Sequence, residues 1–161
     1  MMKFRAFSSL PAGLLSVVLV FITVQGSGCA VVGSEPATAQ AQGAAVARDI
    51  SDVELLGLID QRPDLILIDV RTDKEWDGGH IEGACFLDYL EDDFKARAEQ
   101  LPKDRPIALY CAAGGRSEDA MKLMAKAGFQ ELYNLRGGFY GWEDAGRAVS
   151  QSEAVPLPPS D

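Results

Sequence analysis

The stretch Tyr110-Cys111-Ala112-Ala113-Gly114-Gly115-Arg116-Ser117 gathers the residue types that sulfur chemistry needs. It follows an unbroken apolar run and precedes residues with helical periodicity, so it reads as the turn from a buried strand into a helix. A thiol placed there meets the N–H groups of a tight turn and the positive end of a helix, both of which favour the thiolate. The Cys111 pKa is therefore expected below the free value of about 8.5. Ala112 and Ala113 let the backbone curl, while Gly114 and Gly115 can take the positive φ that a nest of convergent N–H groups requires. Arg116 adds a cation able to grip an oxyanion with two donors, and Ser117 is expected as the helix N-cap. Glu118 and Asp119, in the first turn, favour the helix and oppose the thiolate.

The elements that must position this loop follow from the pattern around it. Leu65-Ile66-Leu67-Ile68 and Ile107-Ala108-Leu109-Tyr110 are apolar runs of the kind covered on both faces in parallel sheets, and are expected as central strands. Weaker strand patterns lie at 48–50, 84–87 and 131–134, which makes five strands. Helices start at two capping boxes, Ser51-x-x-Glu54 and Thr72-x-x-Glu75, and a third is expected over 91–101, ended by Pro102. After the loop, Ala120, Leu123, Met124 and Ala127 recur at helical spacing, with Gly128 as the C-terminal stop. Met121 and Met124 are expected as core filling. Strands alternating with helices give an α/β domain over about 48–148.

The pattern Cys111-x-x-Gly114-x-Arg116 resembles the active-site loop of single-domain rhodaneses, sulfurtransferases that carry sulfur as a cysteine persulfide. Asp69-Val70-Arg71, Glu75-Trp76 and Gly79-His80-Ile81-x-Gly83-Ala84 are similar, in order and spacing, to the signature after that family's second strand. Leu135-x-Gly137-Gly138 followed by Trp142 is similar to its closing motif. The resemblance implies a rhodanese-like α/β fold, with a five-stranded, mostly parallel central sheet flanked by helices on both faces. It implies Cys111 as nucleophile, and the backbone of Ala112, Ala113, Gly114, Gly115 and Arg116 as the cradle for the donor and the transferred sulfur. Asp69, Arg71 and Glu75 are implied as structural support, with Arg71 and Glu75 expected as an ion pair. The reaction implied moves sulfane sulfur from a small-molecule donor such as thiosulfate to a thiol or cyanide acceptor, and it calls for no cofactor.

Other residues are assigned blander roles. His80, the single histidine, is expected to be structural, and Trp76, Trp142 and Cys85 to be core residues. Arg136 is expected on the surface, with attraction of an anionic donor as the alternative. One histidine and no Cys-x-x-Cys give no basis for a metal site. Two other functions compete. A cysteine phosphatase or arsenate reductase would resemble this fold, but those loops carry five residues between Cys and Arg, and this one carries four. A non-catalytic docking or redox-sensing module would keep the fold without the turnover.

Residues 1–28 read as a signal peptide: Lys3 and Arg5 precede an almost wholly apolar stretch, 14–24, that is too short to span a bilayer. Gly26-Ser27-Gly28-Cys29 resembles the lipobox of bacterial lipoproteins, which would make Cys29 the lipidated first residue of a mature chain. Residues 29–47, rich in Ala, Gln and Gly, are expected as a flexible tether reaching about 20–25 Å. Residues 149–161, with Pro156, Pro158 and Pro159, are expected as a disordered tail. Export to the bacterial cell envelope, lipid-anchored on the periplasmic side, is the localisation this implies. The 161 residues carry 24 acidic against 15 basic side chains, a formal charge of −9. That balance argues against nucleic-acid binding, which rests on clustered Lys and Arg. It also removes attraction to an anionic membrane, leaving the N-terminal lipid as the membrane contact. Oligomeric state is left open.

Overall fold

The computed structural model describes residues 45–160, so Cys29, the leader and most of the expected tether lie outside the described residues. In chain order the elements are β1 (Val46–Ile50), α1 (Asp52–Gln61), β2 (Ile66–Asp69), α2 (Asp73–Asp77), β3 (Cys85–Phe86), α3 (Phe94–Ala98), β4 (Ile107–Tyr110), α4 (Gly115–Lys126), β5 (Glu131–Leu135) and α5 (Gly138–Asp144). The strands form one sheet in the order β1-β5-β4-β2-β3. Every pairing in it is parallel.

Alternation along the central strands divides the core in two. Ile66, Ile68, Ile107, Leu109 and Leu132 face one side, where they pack with Phe94 and Ala98 of α3 and Ala120, Met121 and Met124 of α4. Leu67, Ala108, Tyr110, Tyr133 and Leu135 face the other, against Leu55 of α1 and Phe139 and Trp142 of α5. Helices on both faces explain why β2 and β4 are buried at every position and apolar at all but Asp69: each side chain meets a packed layer. Both capping boxes are formed, with Glu54 accepting from the Ser51 N–H and Glu75 from the Thr72 N–H.

Three stretches differ from the expectation drawn from sequence. Strand β1 begins at Val46 rather than Arg48, because parallel pairing with β5 extends to Val46 opposite Glu131. The last two residues assigned to the tether therefore belong to the sheet. Residues 149–160 are not a disordered tail but run along the domain. His80 and Ser150 exchange backbone hydrogen bonds of 3.0 and 2.8 Å, Val155 donates to the Ala84 carbonyl, and Ser160 donates to the Gln100 carbonyl. Leu157 packs on the core. Three prolines lack N–H groups, so a strap of this composition needs few partners to lie against a sheet margin. The expected helix over 91–101 is regular only at Phe94–Ala98, with turns on either side.

Candidate active site

Register places the loop. Asp69 pairs with Tyr110 at the carboxyl ends of β2 and β4, so the chain after β4 turns upward beside the turn after β2. Cys111 is the first residue beyond β4 and only 2% exposed. Its Sγ accepts a 3.1 Å hydrogen bond from the Gly114 N–H. That geometry depends on Gly114, whose φ of 101° is in the left-handed region, as the N-cap residue of α4. Gly115 instead begins the helix and has no positive φ, so one glycine rather than two bends the loop.

The Ser117 hydroxyl lies 3.5 Å from the same sulfur. It is therefore not the N-cap that its position suggested: the helix starts two residues earlier, and Ser117 faces inward in the first turn. Its hydroxyl also lies 2.7 Å from Asn134 Oδ1 and 3.1 Å from the Gly114 carbonyl. Asn134 is held by its own Nδ2, which donates to Asp49 Oδ1 at 2.8 Å. Burial alone would push the Cys111 thiol up. The Ser117 hydroxyl and the N–H groups of Ser117, Ala113 and Gly114 outweigh it, and the pKa lies below its ordinary value. Glu118 and Asp119, expected to oppose the thiolate, are engaged by Lys122 on the exposed side of α4.

The loop is fastened from behind by α5. Phe139 and Tyr140 donate to the carbonyls of Cys111 and Ala112 at 2.8 and 3.0 Å. Gly138 permits this approach. A Cβ there would collide with the Cys111 carbonyl oxygen, and the residue has a φ of 57°. This explains why the second glycine of Gly137-Gly138 matters to a site more than twenty residues away in sequence.

The charged residues are paired differently from expectation. Arg71 does not pair with Glu75. Its Nε and Nη2 both reach the Asp69 carboxylate, at 2.7–3.0 Å, and Nη2 also donates to the Gly79 carbonyl at 2.6 Å. Both side chains are buried, and the Arg71 guanidinium lies 3.9 Å from the centre of the Phe139 ring. The reason is local: a two-residue turn brings Arg71 back on Asp69, whose Oδ1 already accepts the Arg71 N–H. Glu75 is free to pair with Arg116, whose two Nη groups donate to it at 3.0 and 2.6 Å. The Arg116 guanidinium, together with Thr72 and against the cost of burial, holds the Glu75 carboxyl down to about 2. Arg116 is thus a clamp between α4 and α2, and its pKa is raised by Glu75 and, to a lesser extent, by the nearby Cys111 sulfur.

Of the sequence-proposed residues, Cys111, Ala112, Ala113, Gly114, Gly115 and Arg116 form one loop, Asp69 and Arg71 one buried pair beneath it, and Glu75 its outer anchor. His80 is buried, stacked on Trp76 at 3.6 Å between ring centres, and tied to the strap through Ser150. Cys85 is buried, with its thiol pushed up to about 11 by burial. Asp49, Asn134 and Gly138 were not singled out as site residues. A paired glycine after a strand was visible as a motif, but nothing in spacing ties Asp49 or Asn134 to Cys111.

Residues 51–145 match the rhodanese-like domain family. A probable adenylyltransferase/sulfurtransferase of Mycobacterium tuberculosis is 37% identical over 71% of this chain, and the match spans 28% of that relative's length. A thiosulfate sulfurtransferase of Coxiella burnetii is 30% identical over 60% of this chain and 87% of its own. The crystal structure of a rhodanese-like domain protein from Staphylococcus aureus has the same fold, with a TM-score of 0.57 and 24% identity, over 66% of this chain and 99% of that one.

Proposed function

This chain belongs to the rhodanese-like domain family, and from that premise we propose that it is an exported sulfurtransferase working through a persulfide on Cys111. The observation that carries the reading is the 3.1 Å contact between the Gly114 N–H and Cys111 Sγ, in a loop whose other donors also favour the anionic sulfur. Relatives named as sulfurtransferases support the same class of activity.

The reaction has two halves. In the first, the Cys111 thiolate attacks the outer, sulfane sulfur of a donor such as thiosulfate. A new S–S bond forms as the donor's S–S bond breaks, and the bonding pair leaves with sulfite. In the second, a thiolate or cyanide attacks the outer sulfur of the cysteine persulfide, and the Cys111 thiolate returns. The thiolate and the persulfide anion both carry their charge on sulfur, so donors fixed in the fold stabilise each without rearrangement. No general base is assigned, because the loop's own donors lower the pKa of the nucleophile. His80, turned into its stack on Trp76, is not asked to supply one.

The leader and Cys29 add a proposed envelope location with a lipid anchor, and the small-molecule donor and thiol acceptor are its proposed partners.

Intact-mass measurement after incubation with thiosulfate tests the reading. The parent should gain the mass of one sulfur atom, cyanide should remove it, and Cys111→Ser should gain nothing while keeping its fold by circular dichroism. Sulfur loading of the Ser variant equal to that of the parent, or turnover of a phosphate ester with no loading, would overturn it.

A further inference from the structure

The Ser117 hydroxyl beside the Cys111 sulfur answers to a second partner, and a residue at the edge of the sheet sets which way that partner faces. Parallel pairing of β1 with β5 puts Asp49 alongside Asn134. Asn134 Nδ2 donates to Asp49 Oδ1 at 2.8 Å, and Asn134 Oδ1 lies 2.7 Å from Ser117 Oγ, itself 3.5 Å from Cys111 Sγ. Each link constrains the next. A carboxylate oxygen only accepts, so the amide turns its NH2 to Asp49 and its oxygen to Ser117. That oxygen also only accepts, and two oxygens at 2.7 Å need a proton between them, so it draws on the single proton of the hydroxyl. The sulfur receives what Asn134 leaves. Asn134 and Ser117 are buried, whereas Asp49 is exposed and, among the described residues, has no hydrogen bond to Cys111 or its loop. The charged neighbours are already placed: Lys122 of α4, which feels the Asp49 charge, is held by Glu118 at 2.6 Å, and Arg116 lies near the sulfur.

We propose that Asp49 is a positioning residue for the Cys111 sulfur: by fixing the direction of the Asn134 amide, it keeps part of the Ser117 proton from the thiolate. The proposal rests on the sulfurtransferase reading, in which one sulfur is the nucleophile of the first half-reaction and the leaving group of the second. When Cys111 attacks a donor, its electron pair forms the new S–S bond. When an acceptor attacks the outer sulfur of the persulfide, that bond breaks and the pair returns to Cys111. A thiolate held by more donors is a weaker nucleophile and a better leaving group. Given the whole Ser117 proton, Cys111 would load sulfur more slowly and release it faster. Asp49 therefore moves the balance toward loading, from the edge of the sheet and without meeting a substrate.

Asp49→Ala tests this, because it removes the acceptor and lets the Asn134 amide turn over, so that Nδ2 donates to Ser117 Oγ and the hydroxyl proton passes to sulfur. The pH dependence of iodoacetamide alkylation, read at Cys111 by peptide mass in the reduced full chain, should give a pKa about 0.5–1 unit below the parent's. In a Ser117→Ala background the same substitution should shift it by less than about 0.2 unit, since only the screened field of an exposed charge remains. The two half-reactions should part in opposite directions. Above both pKa values, loading from thiosulfate should be about two- to threefold slower in Asp49→Ala, and discharge of the loaded form by cyanide faster. A pKa unchanged or raised in Asp49→Ala, an equal drop in both backgrounds, or half-reactions changed in the same direction would overturn the proposal. Alkylation needs no sulfur transfer. A parent that fails to load sulfur would thus overturn the sulfurtransferase reading, while the two alkylation profiles still decide the role of Asp49.

Discussion

Ser117→Ala is expected to raise the pKa of the Cys111 thiol by about 0.5–1 unit and to leave the fold in place. The hydroxyl carries one proton and faces three acceptors, at 2.7 Å from Asn134 Oδ1, 3.1 Å from the Gly114 carbonyl and 3.5 Å from Cys111 Sγ. A full hydrogen bond to a charged group is worth about 1.5–3 kcal/mol. The contact to sulfur is the longest of the three and the proton is shared, so about 1 kcal/mol is left for the thiolate, and one pKa unit corresponds to about 1.4 kcal/mol. The Gly114 N–H at 3.1 Å is untouched and keeps most of the stabilisation. Removing the hydroxyl also leaves the buried Asn134 Oδ1 without its donor, which costs about 1–3 kcal/mol of stability. The assay is the pH dependence of iodoacetamide alkylation of Cys111 in the reduced protein, beside urea denaturation. Below the pKa the variant should react more slowly than the parent, and at high pH the two should converge. A pKa unchanged or lowered in Ser117→Ala would show that the hydroxyl proton stays on Asn134, and the account of the sulfur's environment would be wrong.

Two further outcomes test the surrounding structure. Glu75 is held at about 2 against a usual carboxylate near 4.5, so its contribution is complete above about 4.5 and is lost as the pH falls toward 2. With both partners about a quarter exposed, screening reduces this to about 1–2 kcal/mol, and thermal melts across that window should show the parent losing more stability than Glu75→Gln. Equal losses would mean the Arg116 pair contributes nothing. Ending the chain after Ala148 should lower stability by about 2–4 kcal/mol, through the loss of the Leu157 contacts and the backbone bonds to His80, Ala84 and Gln100. In a Cys111→Ser background the shortened chain should also label at Cys85 far faster, because the strap that places the Pro156 carbonyl 3.7 Å from that thiol is gone. Unaltered labelling would show that the strap does not shield it.

What the amino-acid sequence made legible was whatever is written within one element or one turn. The apolar runs of β2 and β4 are central because both faces of each are covered, and the Gly-Gly-Arg sequel marks Cys111 because a tight strand-to-helix turn is a local event. Partnerships across elements were not legible. The family resemblance implies a pair of Arg71 with Glu75, yet the turn after β2 gives Arg71 Asp69, and α4 delivers Arg116 to Glu75 from more than forty residues away. Ser117 failed in the same way: as a polar residue near a helix start it suggests a cap, but a left-handed Gly114 moves the start back and turns the hydroxyl toward sulfur. The strap over residues 149–160 is the limiting case. Its composition measures only how poorly it could fold alone, whereas its order comes from His80, Ala84 and Gln100, three fixed partners already present on the domain.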